Sequence, residues 1–138
     1  MKSVRLFIAV ALLLATFSVN AQNSRLDGQQ YNVVMVDEAN GGPEIHDVFS
    51  FSNNSMTAKN LSKDGFTAAN VSEAGNDFEV TLSKSATETM DISGTVEGET
   101  IFGEIVSTAN GQTVNYKFRG MTSAEWNKIR EAKQQAGQ

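Results

Sequence analysis

The sequence has no cysteine, one histidine, one proline and one tryptophan in 138 residues. Without cysteine there is no disulfide scaffold, no thiolate nucleophile, and no Cys-ligated zinc or iron–sulfur site. The lone histidine, His46, excludes every two-histidine metal motif. Basic residues are also scarce: between Leu26 and Met121 only Lys59, Lys63, Lys84, Lys117 and Arg119 face 14 acids. Binding to nucleic acid displaces counterions with a basic face, and a stretch of formal charge −9 offers none. At 40% hydrophobic and 20% charged residues, the chain nonetheless has the composition of a folded domain, and its length fits one.

The start of the chain reads as an export signal. Lys2 and Arg5 precede an apolar run from Leu6 to Phe17, and Val19-Asn20-Ala21 puts small residues at −3 and −1 of a cleavage site. Twelve residues of helix span about 18 Å against a hydrocarbon core of about 30 Å, so a transmembrane anchor is not expected. No cysteine follows the run to carry a lipid. Residues 1–21 are thus expected to be a signal peptide, 22–121 a barrel, and 122–138 a C-terminal helix with a frayed tail. Cleavage after Ala21 removes two bases and leaves nine against 16 acids, a formal charge of −7. An exported domain without disulfides points to a Gram-negative bacterial type of export, secreted or periplasmic.

Alternation of apolar and polar residues recurs through the rest. Phe78, Val80 and Leu82 alternate with polar neighbours, as do Met90, Ile92, Gly94 and Val96, then Val114, Tyr116 and Phe118, and Phe49 and Phe51 around Ser50. Weaker strands are expected at Gln30–Val36, Ser55–Leu61, Phe66–Val71 and Ile101–Ser107, where Phe102 points outward. The turns between them are short. Asn53-Asn54, Lys63-Asp64-Gly65, Gly75-Asn76-Asp77, Glu97-Gly98-Glu99 and Asn110-Gly111 join antiparallel neighbours, because a parallel crossover needs a dozen or more residues. The expected fold is all-β: an eight-stranded antiparallel up-and-down barrel, closed to remove its edges, with a C-terminal helix.

Two connections depart from this pattern. Asp37 to His46, with Ala39-Asn40-Gly41-Gly42-Pro43 at its centre, is expected to be a long loop, either a lid over one barrel mouth or a passive link. Thr122-Ser123-Ala124-Glu125 matches a capping box, so a helix from Ser123 to about Lys133 is expected, docked through Trp126 and Ile129. On that reading Trp126 is a structural residue.

No catalytic constellation emerges. His46 beside Asp47 has the makings of a base and its orienting carboxylate, but no serine stands in a nucleophile motif. Glu97 and Glu99 flank a hairpin glycine, where carboxylates are normally solvated. Asp37-Glu38-Ala39-Asn40-Gly41 fails as an EF-hand loop because Ala39 stands where an oxygen ligand is required, which leaves only a weak nonspecific calcium contact open. No catalytic residue, metal site or cofactor is therefore expected.

The succession Leu26-Asp27-Gly28, Asp47-Val48-Phe49-Ser50-Phe51, Gly65-Phe66, Phe78 to Leu82, Ile92-Ser93-Gly94-Thr95-Val96-Glu97-Gly98 and Ile101-Phe102-Gly103 resembles small secreted bacterial lipocalin-like (calycin) domains over nearly all of the chain after Ala21. The resemblance implies a β-barrel and a non-catalytic binding role, with a small apolar molecule as candidate partner. The tryptophan usual in the first strand of lipocalins proper is absent from Gly28-Gln29-Gln30. Avidin-like barrels line their site with tryptophans this chain lacks, so biotin is not an expected ligand. Residues placed to line an interior site are Phe49, Phe51, Met56, Phe66, Phe78, Met90 and Tyr116. An eight-stranded barrel is just wide enough to be filled by its own side chains or to hold one small ligand. The second reading is a filled barrel that acts through its exterior as an interaction or inhibitor module, using Phe102, Val106 or the first loop.

Overall fold

The computed structural model describes residues 25–137, and the expected signal peptide lies outside these described residues. In chain order the elements are β1 (Gln30–Asp37), β2 (Gly41–Ser52), β3 (Ser55–Ala58), α1 (Lys59–Lys63), β4 (Ala69–Asn70), β5 (Ser72–Ala74), β6 (Asp77–Ser85), β7 (Glu88–Glu97), β8 (Thr100–Ala109), β9 (Gln112–Thr122) and α2 (Ser123–Ala136). They form one antiparallel sheet, β4-β3-β2-β1-β9-β8-β7-β6-β5, curled into a nearly closed barrel. Every pairing joins chain neighbours except β1 with β9, which brings the two ends of the domain together.

The seam lies between β4 and β5, where a single residue, Val71, separates the two strands. Thr67 stitches it: its backbone N–H donates to the Ser83 carbonyl at 3.0 Å, and its hydroxyl to the same oxygen at 3.2 Å. Tight turns carry the meander as expected. Asn110-Gly111 has positive φ at both positions (50° and 81°), the backbone that a two-residue type I′ hairpin demands, and it joins Ala109 to Gln112.

The strand count differs from eight by the short β5, which pairs Ser72–Ala74 with Asp77–Glu79. The expected strand Ser55–Leu61 stops at Ala58 and becomes α1. The reason is tertiary. Ala58, the residue at the helix start, has no side chain to cap it, and Asp47 of β2 supplies the carboxylate instead. Asp47 is 4% exposed; Oδ1 accepts the backbone N–H of Asn60 at 2.8 Å and of Val48 at 2.7 Å, and Oδ2 that of Leu61 at 3.3 Å.

The stretch expected as a long loop, Asp37 to His46, is instead mostly strand. β2 begins at Gly41, and Val34 faces His46 and Met35 faces Ile45 across the hairpin. Only Glu38–Asn40 are left as the turn. Asp37 Oδ1 accepts the backbone N–H groups of Ala39 and Asn40 at 2.9 and 3.1 Å. Gly-Gly-Pro reads as loop in sequence, but Pro43 lies between Gly41 and Ile45, where the β1–β2 register shifts, the kind of strand irregularity that accommodates a residue without an N–H.

A buried cluster packs in the barrel interior. Tyr31, Val33, Phe49, Phe51, Met56 and Phe78 belong to one buried cluster with Leu82, Ile92, Ile101, Ile105 and Phe118. Its rings meet edge to face: Tyr31 with Phe51 at 6.0 Å, Phe51 with Phe78 at 5.4 Å, and Phe49 with Phe118 at 5.5 Å. Gly94 and Gly103, paired across β7 and β8, form a notch beneath two of these rings. A β-carbon at 94 would lie 2.6 Å from the Phe78 ring and 2.9 Å from that of Phe118; one at 103 would lie 2.1 Å from the Ser93 carbonyl. Among the described residues no helix is long and apolar enough to cross a membrane.

Candidate functional site: a groove on the outer wall

Side chains alternate across the barrel wall, so the registers that fix the core also fix the exterior. Two cross-strand rows face outward over β2-β1-β9-β8. One runs Val48, Asn32, Met121, Thr100; the next runs His46, Val34, Arg119, Phe102. They form the floor of a groove of about 700 Å³, within the usual range of small-molecule sites. Lys59, Asn60 and Lys63 of α1 line it on the β2 side, and Trp126 of α2 also borders it.

Both flanking helices are held by specific contacts. The carboxylate of Asp47 fastens the start of α1, and Asn60 Nδ2 donates to the His46 carbonyl at 2.8 Å. The Thr122 hydroxyl caps α2 by accepting the Glu125 N–H at 3.2 Å, as the capping box predicts, and it donates in turn to the Glu99 carboxylate. Asn32 Nδ2 donates to Ser123 Oγ at 3.1 Å, tying the first turn of α2 to β1.

α2 runs to Ala136, beyond the expected end, and buries none of its residues fully. Trp126 is 37% exposed and Phe102 is 41% exposed. Trp126 is therefore not the buried dock that sequence reasoning expected. Two of the three large apolar side chains exposed on the described surface meet at this one groove; the third, Ile45, lies on the free part of β2.

Charge in the groove is mixed. Arg119 Nη2 lies 4.0 Å from Glu44 Oε1, and His46 Nε2 lies 3.9 Å from Glu44 Oε2. Lys59 and Lys63, four apart on α1, make no ion pair among the described residues. Asp47 does not orient His46. As consecutive strand residues they face opposite sides of the wall, with Asp47 engaged by backbone amides.

The residues expected to line an interior site are brought together, but as one packed body. Phe49, Phe51, Met56 and Phe78 are in the buried cluster, while Phe66, Met90 and Tyr116 are partly buried against it. At one mouth, Tyr31, Glu99 and Thr122 border a smaller cleft of about 170 Å³. The Tyr31 hydroxyl is held above its ordinary range, first by burial and then by the negative charge of Glu99, with Arg25 opposing. Glu99 is thus engaged by Thr122 rather than merely solvated, while Asp37 is shifted down chiefly by the Asn40 backbone N–H.

The groove escaped sequence reasoning because its members are far apart in the chain. Phe102 was legible as outward-facing by alternation. Nothing short of the β1–β9 pairing places Val34 beside Arg119. No family model matches the chain, and no curated protein matches it in sequence. The nearly closed antiparallel barrel is itself compatible with a calycin-like fold.

Proposed function

We propose that this chain is an exported, non-catalytic binding barrel of lipocalin-like type that takes a small amphipathic molecule in the outer groove rather than in its interior. The observation that carries this reading is the meeting of Phe102 and Trp126, both more than a third exposed, over one concavity of ligand size. The ring-over-glycine packing of the interior supports the same choice, since Phe78 and Phe118 occupy the space that an interior ligand would need. Export rests on the basic start, apolar run and Val19-Asn20-Ala21 of the sequence.

The test is titration of the purified protein with Nile red, a neutral apolar dye that brightens in apolar surroundings. Phe102→Asp and Trp126→Ser should each weaken dye binding about tenfold or more while the thermal midpoint stays close to wild type. Dye binding that survives both substitutions, or no binding by the wild type, would overturn the groove assignment. In the first case the interior residues Phe51 and Met56 become the site to test.

A further inference from the structure

The barrel is strongly acidic, yet its few cations are not spread evenly. Of the five Lys and Arg residues between Leu26 and Met121, three (Lys59, Lys63 and Arg119) line the outer groove, against the two acids Glu44 and Asp47. Asp47 spends its carboxylate on the amides of Asn60 and Leu61, and Glu44 stands between Arg119 and His46. That leaves the two α1 lysines free of any ion pair among the described residues, at the side of the groove away from Phe102.

Polarity therefore changes along the strand order. On the β2 side stand Lys59 and Lys63; in the middle β1 and β9 carry the apolar Val34 and Met121 beside Asn32 and Arg119, the latter facing Glu44; Phe102 lies on β8. Three strand spacings separate β2 from β8, about 14 Å of floor. A ligand complementary to this surface has a negative head and an apolar tail. On the groove reading above, we infer that the ligand is a free carboxylate amphiphile of the fatty-acid class, its head beside Lys59 and Lys63 and its tail over Val34 and Met121 toward Phe102. A free molecule fits better than an anionic membrane surface, because the −9 charge of the surrounding stretch repels a charged bilayer but only weakly opposes a single anion seated among cations.

The experiment compares one tail with three heads. Trp126 is the only tryptophan and borders the groove, so its emission reports occupancy. Dodecanoate, dodecanol and dodecyltrimethylammonium are titrated at neutral pH, below their aggregation concentrations, into wild type, Lys59→Gln/Lys63→Gln and Lys84→Gln/Lys133→Gln. The last variant makes the same change in net charge away from the groove. The α1 double variant should weaken dodecanoate about fivefold, leave dodecanol unchanged and favour the cation. The remote double variant should leave dodecanoate within about twofold of wild type.

Equal weakening of dodecanoate by both double variants would overturn the inference. So would dodecanol and dodecanoate responding alike to Lys59→Gln/Lys63→Gln, and in that case Phe102-dependent dodecanol binding would leave the groove reading standing. Trp126 emission unmoved by all three amphiphiles would overturn both. Co-sedimentation with phosphatidylglycerol vesicles in the absence of any dodecanoate response would replace the free carboxylate with a membrane surface.

Discussion

The ring of Phe78 occupies the space that a side chain at position 94 would need. A β-carbon on Gly94 would stand 2.6 Å from both Cε1 and Cζ, too close for any real contact. Gly94→Ala is therefore expected to destabilise the barrel by about 1–3 kcal/mol, the usual cost of overpacking a filled core. Urea denaturation measures it. Adding Phe78→Leu should recover part of the loss, a coupling that two independent sites would not show.

Asp47 is the cap of a helix that carries none of its own. Asp47→Ala removes the acceptor from the backbone N–H groups of Asn60 and Leu61 and should cost about 1–3 kcal/mol, because a charged acceptor is lost and buried donors are left unpaired. Hydrogen exchange at those two amides should accelerate more than exchange in β7 and β8. Uniform acceleration would show that α1 has no separate dependence on Asp47.

At the other end of the groove, Thr122→Ala should cost about 1 kcal/mol, the usual worth of a helix cap. Trp126→Ala should cost less than about 1 kcal/mol, since its ring is more than a third exposed and leaves little cavity. Thermal or urea melts rank the two. A loss near 3 kcal/mol for Trp126→Ala would mean that the ring is packed as a core residue.

Burial of Tyr31 gives the barrel an alkaline limit. Its hydroxyl, whose ordinary value is 10.0, is raised in the folded protein, so in the window above that value the unfolded chain loses a proton that the fold retains. This contribution is whole below about pH 10 and is lost as pH climbs through the raised pKa. Tyr31→Phe should flatten the fall in melting temperature above pH 10, and an unchanged slope would place the alkaline loss elsewhere.

Local pattern in the sequence determined the outline. Alternation around Phe78, Ile92 and Phe118 put those side chains inside, Asn110-Gly111 marked a hairpin, and Thr122 with Glu125 announced α2, because each depends on residues a few positions apart. A barrel with eight main runs was legible for the same reason. What only the tertiary structure decided involves residues distant in sequence. Asp47 converts the end of an expected strand into α1 from 13 positions away. Pairing with β1 draws Gly41–His46 out of an expected loop into a strand. Trp126, marked by its helix period as a docking residue, stays more than a third exposed beside a groove whose floor joins Asn32 to Met121 through the β1–β9 pairing. The groove exists for that reason: alternation says which residues face outward, but only the closure of β1 on β9 says which outward residues are neighbours.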